Sequence, residues 1–171
     1  MKKKYGVIAI LMAIVLLGVG YAVISSINLN VNGSQATANA DPANFVVKFD
    51  EESTFSYSGN PTGSTVTLAR IDDKNASFTI EGLTKKGDKV TITYPIVNES
   101  DTLKAELAAP AITNDNDEYF TVTAVSPSAG TELAESGGTT NLVLEVEVIK
   151  TPVDDNETAN ITATVEASPV Q

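Results

Sequence analysis

Along most of the chain the apolar residues fall at every second position. Phe78 and Ile80 flank Thr79, and Val90, Ile92 and Tyr94 alternate with Thr91 and Thr93. Leu142, Leu144, Val146 and Val148 alternate with Val143, Glu145 and Glu147, and Ile161, Ala163 and Val165 with Thr162 and Thr164. A period of two sends one set of side chains to a buried face and the other to water, as in an antiparallel sheet. Nowhere does a helical period persist for several turns, so the pattern predicts an all-β chain. The expected strands are Ile27–Asn32, Phe45–Phe49, Ser64–Ile71, Ala76–Glu81, Lys89–Asn98, Leu103–Leu107, Tyr119–Val125, Leu142–Ile149 and Thr158–Ala167.

Turn signals separate these runs: Asp41-Pro42, Gly59-Asn60-Pro61, Asp72-Asp73, Lys86-Gly87-Asp88, Asn114 to Asp117, Gly137-Gly138 and Asp154-Asp155. Short strands at this spacing predict an antiparallel two-sheet sandwich, immunoglobulin-like or jelly-roll-like. With no Trp and no Cys pair, membership in the antibody-type family proper is not supported. Pro95 has no N–H to give a ladder, so it predicts an edge or a bulge inside the longest strand.

Ahead of the strands the pattern changes. Lys2, Lys3 and Lys4 precede the apolar run Tyr5 to Leu17, and Gly20-Tyr21-Ala22 follows as a small-x-small site. This is the layout of a signal peptide, an apolar helix cut by a signal peptidase at Gly20 to Ala22. Basic residues on the N-terminal side alone place the rest of the chain outside the cytoplasm. Tyr5 to Ile24 is also an uncharged stretch of spanning length, so an uncleaved membrane anchor is the competing reading. The expected organisation is a signal peptide over 1–22, or an anchor to about 24, an N-terminal strand and flexible link over 23–43, and a sandwich domain over 44–171. The link is the small, polar stretch Gly33 to Ala43.

Ile27, Leu29 and Val31 alternate strictly with Asn28, Asn30 and Asn32 directly after the leader. One reading is a strand donated to a groove in another subunit, with main-chain bonds supplying affinity. The other is the first strand of the chain's own sandwich. The alternation specifies a buried face and not whose.

Composition removes most chemistry. The chain has neither Cys nor His, which excludes disulfides, thiol nucleophiles, imidazole bases and the usual zinc or copper ligand sets. No cofactor is expected, and an exported protein without Cys points to a bacterial envelope. The net charge is −11, and loss of Lys2, Lys3 and Lys4 on processing takes it to −14. Such a surface repels nucleic acid and anionic lipid, leaving the N-terminal segment as the only membrane contact. Asn114-Asp115-Asn116-Asp117-Glu118 offers oxygen ligands of the kind calcium prefers, but lacks the Gly and distant Glu of an EF-hand loop. A solvated acidic turn is the preferred reading, with weak calcium binding at Asp115 and Asp117 left open. Paired acids for glycoside cleavage cannot be placed by sequence, and a chain with no Trp is poorly supplied with sugar-stacking surface. The Asn-x-Ser/Thr triplets at Asn32, Asn75, Asn98, Asn156 and Asn160 read as coincidence in a bacterial protein rich in Asn and Thr.

The leader ending in Gly20-Tyr21-Ala22, the short strand after it and the segment Ser77 to Leu107 together resemble the TasA and camelysin group of bacterial surface proteins, exported with a SipW-type signal peptidase. The matching positions are Phe78, Ile80, Leu83, Gly87-Asp88, Val90, Ile92, Tyr94 and Asn98. The resemblance implies a jelly-roll-like subunit that assembles into extracellular biofilm-matrix fibres, each copy donating its N-terminal strand to a neighbour. This chain is shorter than TasA and lacks its longer insertions. The metalloprotease label of camelysin does not carry over, because a chain without His cannot build a His-Glu-x-x-His site. The expectation is a secreted, noncatalytic structural protein whose partners are other copies of itself or related surface subunits, and signal peptidase during export. The alternative is a membrane-anchored immunoglobulin-like binding or adhesion module.

Overall fold

The inward-facing sets close on one another across two sheets in the computed structural model, which describes residues 13–19, 27–31, 34–38, 44–50, 55–153 and 157–170. Its strands are β1 (Ala13–Val19), β2 (Ile27–Val31), β3 (Ser34–Ala38), β4 (Val47–Phe49), β5 (Ser56–Ser58), β6 (Thr65–Arg70) and β7 (Asn75–Glu81). They continue as β8 (Lys89–Asn98), β9 (Lys104–Leu107), β10 (Ala111–Asn114), β11 (Phe120–Ser126), β12 (Thr131–Leu133), β13 (Gly138–Val148) and β14 (Ile161–Val170). The first sheet runs β12-β9-β14-β1-β7-β6, with β10 also beside β14. The second runs β11-β13-β8, with β4 and β5 side by side along the far edge of β8. The all-β sandwich read from the alternation is the observed architecture.

Inward residues of both sheets share one core. Ala76, Phe78, Ile161, Ala163, Val165 and Ala167 come from the first sheet, and Val90, Ile92, Tyr94, Leu142, Leu144 and Val146 from the second. In the ring cluster of Phe49, Phe55 and Tyr94, Phe55 meets Tyr94 edge-to-face with centroids 4.8 Å apart, and Phe49 lies tilted to Tyr94 at 5.7 Å. β8 and β13 pair in antiparallel register from Lys89↔Glu147 to Asn98↔Gly138, the longest ladder among the described residues.

Pro95 departs from the expectation of an edge or bulge: it lies mid-ladder in a central strand, opposite Asn141. Its carbonyl accepts the Asp50 N–H at 3.0 Å on the β4 side. The N–H and C=O of one strand residue point the same way, so the missing donor faces the seam where β4, opposite Ile96–Asn98, gives way to β5, opposite Thr91–Thr93. No bond to β13 is lost.

The Gly87-Asp88 motif and Asn98 serve this frame. The Asp88 carboxylate accepts N–H bonds from Thr84 at 2.8 Å and Lys85 at 3.1 Å, closing the turn into β8. At the other end of β8, the fully buried Asn98 donates from Nδ2 to the Leu103 carbonyl at 2.9 Å and the Ala134 carbonyl at 3.0 Å. Its Oδ1 accepts the Ser100 N–H at 3.0 Å, and the Ser100 Oγ accepts the Val46 N–H at 2.9 Å. With a further, longer bond from Nδ2 to the Leu133 carbonyl at 3.3 Å, this buried amide serves four backbone groups and is a structural knot. It is closed to glycosylation, whatever its triplet suggests.

Two expectations about the N-terminal region are corrected. Ala13–Val19, part of the leader expected to be helical, is a strand hydrogen-bonded on both edges, and no helix among the described residues is long and apolar enough to cross a membrane. A continuous apolar run does not by itself distinguish a strand from a helix, and a place between two strands satisfies its backbone as fully as a helix does. Ser34–Ala38, expected in the flexible link, pairs in antiparallel register with Ile27–Val31. The sequence between them is Asn32-Gly33, the commonest two-residue hairpin connection, which outweighs the small, polar composition that suggested a linker.

Candidate strand-insertion site

β14 and β7 do not pair with each other; β1 lies between them, parallel to β14 and antiparallel to β7. The remaining edge of β14 is taken by β9 and β10, and that of β7 by β6. In the first sheet β1 is therefore the strand that joins the β14 side to the β7 side. Residues paired across a ladder share a face. Val15 is in register with Ala76 on one side and Ala163 on the other, Leu17 with Val165, and Val19 with Ala167. The inward walls at these positions, Ala76, Phe78, Ala163, Val165 and Ala167, are buried. The residues of β7 and β14 in register with positions 14, 16 and 18 are Asn75, Ser77, Thr162, Thr164 and Glu166. The wall residues follow from the alternation in β7 and β14, which identifies them as core. The sequence pattern did not identify them as a site, because alternation says nothing about which strand lies next door.

Ile27, Leu29 and Val31, the predicted strand-exchange residues, lie on β2. This strand forms a two-stranded sheet with β3 and belongs to neither sheet of the sandwich. The reading of Ile27–Asn32 as the first strand of its own sandwich is thereby corrected: that place is held by the leader, whose apolar run precedes it in the chain. The predicted cleavage residues Gly20 and Ala22 lie outside the described residues.

The acidic features are engaged in turns. Asp115 accepts the backbone N–H and the side-chain amide of Asn160, each at 2.6 Å, and these bonds hold its carboxyl below the usual value. Asn114 Nδ2 donates to the Phe120 carbonyl and Asn116 Nδ2 to the Thr158 carbonyl, and Glu118 pairs with Lys150. Asp72 likewise binds the N–H groups of Lys74 and Asn75 and the Asn75 side chain, which lowers its carboxyl. Asp154 and Asp155 lie outside the described residues. Among the described residues no group of three or more Asp and Glu is gathered as a metal cage would require. The Tyr94 hydroxyl is buried without a hydrogen-bond partner, and burial pushes its pKa up, so it is held as a neutral phenol.

What this arrangement can do is accept a strand. An extended peptide entering between β14 and β7 gains main-chain bonds on both edges and a wall of apolar side chains on one face. No protein-family model matches the chain, and no curated protein matches it.

Proposed function

We propose that this chain is a noncatalytic structural subunit of a bacterial cell surface, which assembles when the strand Ile27–Val31 of one copy enters the sheet of another. The observation that carries the reading is the division of labour at the N-terminus. The sandwich needs a strand between β14 and β7 and takes it from the leader, while the next strand lies off the sandwich. Loss of the leader opens two strand edges at once, and such edges are templates for another chain. The absence of Cys and His from the sequence and the acidic, soluble surface accord with a structural role. The resemblance to the TasA and camelysin group points the same way, toward matrix fibres.

The test is electron microscopy and sedimentation of the processed chain beginning at Val23, beside a variant lacking Ser25 to Asn32. The expected result is polymers from the first and folded monomers from the second. Equal polymerisation of the two would refute strand donation. A cell-surface protein that keeps its Met1 terminus would favour the anchored binding module.

A further inference from the structure

We infer that the free edge of β11 pairs with the same edge of a second copy of this chain, in antiparallel register about a two-fold axis at Thr123. The pairing continues the second sheet from one molecule into the next. It involves none of the N-terminal strands, so it goes beyond the strand-donation reading and does not depend on it.

β11 has a partner strand, β13, on one side only. The Ile149 N–H donates to the Tyr119 carbonyl at 2.9 Å and opens that ladder, which fixes the side each later residue faces. Main-chain groups alternate along an antiparallel strand, so Thr121 and Thr123 turn theirs to β13, while Phe120, Val122 and Ala124 turn theirs away. Phe120 is satisfied locally: its N–H donates to the Asn116 carbonyl, and its carbonyl accepts Asn114 Nδ2. Val122 and Ala124 have no such partners among the described residues, because β10, joined to β11 by that turn, pairs with β14 in the other sheet. Their N–H and C=O groups form an open edge. Their side chains are half-buried against the core, so a strand laid here also covers apolar surface.

Sheet edges in soluble proteins are guarded by shortness, charge or proline. The other edge strands of the sandwich follow that rule. β4, β5 and β12 have three residues each, β10 has four, and β6 ends in Arg70. β11 runs from Phe120 to Ser126 with neither a charge nor a proline, and its Val125 is 62 % exposed. This neutral line lies in a chain of net charge −11, whose copies otherwise repel one another. The acids beside it are drawn the other way: Glu145 and Glu147, in register with Thr123 and Thr121, bind Lys89 of β8 at 2.9 and 3.1 Å. A second β11 therefore lies here without setting like charge against like. It matches in spacing as well. A two-fold at Thr123 puts Val122 against Ala124 of the second copy and Ala124 against its Val122, so that each open N–H meets an open C=O. The bulge between Ala124 and Ser126 ends the straight edge and leaves this register alone. So small an interface belongs to the transient class, formed at high local concentration and absent from dilute solution.

The experiment uses the full chain, in which β1 occupies the place between β14 and β7, so that association through β11 is read apart from strand donation. Thr121 and Thr123 are exposed, and the chain has no Cys of its own. At the two-fold, residue 123 meets its own equivalent as a non-hydrogen-bonded pair with Cα atoms about 4.5 Å apart, within the span of a disulfide. Residue 121 lies about 14 Å from its equivalent. Under mild oxidation Thr123→Cys is expected to give linked dimers roughly ten times faster than Thr121→Cys, and equal rates would overturn the register. Sedimentation equilibrium of the parent at up to about 1 mM is expected to reach twice the monomer mass and stop there. Thr123→Lys sets two like charges on the axis and is expected to weaken the dimer roughly tenfold. A mass that climbs past the dimer overturns the two-fold, and Thr123→Lys associating as the parent does overturns β11 as the surface. A parent that stays monomeric throughout overturns the second copy as the strand this edge takes.

Discussion

Replacement of Asn98 by Ala tests whether the end of β8 is held by its buried amide. The wild-type side chain is fully buried and donates to the carbonyls of Leu103 and Ala134, while its Oδ1 accepts the Ser100 N–H. Ala134 O keeps a second donor, the Gly138 N–H at 3.2 Å, so its loss counts for little. The part-buried Leu103 carbonyl and the buried Ser100 N–H are left without these partners, and each such orphan costs about 1–3 kcal/mol. The expected destabilisation is about 2–5 kcal/mol, or a fall in Tm of roughly 4–20 °C for a domain of this size. Urea unfolding followed by circular dichroism measures it, with an unchanged m-value expected because the exposed area hardly changes. Asn98→Asp sharpens the test, since a carboxylate cannot donate to those carbonyls. Burial beside two carbonyls is expected to raise its folded pKa, and the variant should then gain stability as pH falls through that value toward the unfolded one. A loss below about 1 kcal/mol for Asn98→Ala would show that the amide knot does not hold the strand end, because single hydrogen-bond contributions are already of that size.

Three other outcomes are expected. Burial acts to raise the Asp88 carboxyl, but N–H bonds from Thr84 and Lys85, the Lys85 charge and the Thr84 hydroxyl outweigh it, and the group sits below its usual value. A depressed carboxyl stabilises above its unfolded pKa and loses that contribution as pH falls through the folded pKa. Asp88→Asn should therefore lower stability at neutral pH and flatten the acid limb of a thermal-melt profile, and parallel profiles for the two proteins would contradict this. A Cβ on Gly138 would lie 2.4 Å from the backbone N and O of Ala134, whereas one on Gly63 meets nothing within 4 Å. Gly138→Ala should then cost about 2–4 kcal/mol by forcing backbone to move, and Gly63→Ala about 1–2 kcal/mol for its positive φ alone; equal costs in denaturant titrations would argue against the close approach. Finally, the processed chain carries a net charge of −14, so growth of polymer measured by light scattering should quicken between low and physiological salt, and slower growth at higher salt would speak against assembly of like-charged subunits.

Much of the sandwich was legible because its strands are half-wet. β7, β8, β13 and β14 each show their buried set at every second residue, and the structure buries those sets. Short strands were not legible: β5 is three residues of Ser56-Tyr57-Ser58, all exposed, and β12 buries one residue of three. A pattern needs more than one period to be seen, and these strands exist because a longer neighbour offers them an edge. Pro95 was misread for a related reason: its lost donor matters only on the side it faces, and sequence does not reveal that side. The alternation of Ile27, Leu29 and Val31 was legible as a strand, whereas the place of β1 between β14 and β7 was not. Which strands neighbour one another across a sheet is set by segments distant in sequence, and no local pattern encodes it.

The place of β1 bears on the assembly proposed above. A sheet interrupted between β14 and β7 would expose two edges and a row of apolar walls, Phe78, Ala163, Val165 and Ala167 among them. Exposed edges of that kind associate without discrimination. In the structure β1 lies between them and pairs with both, so neither edge is open. Strand donation as proposed therefore requires that this place be vacated, which is why the test compares a chain beginning at Val23.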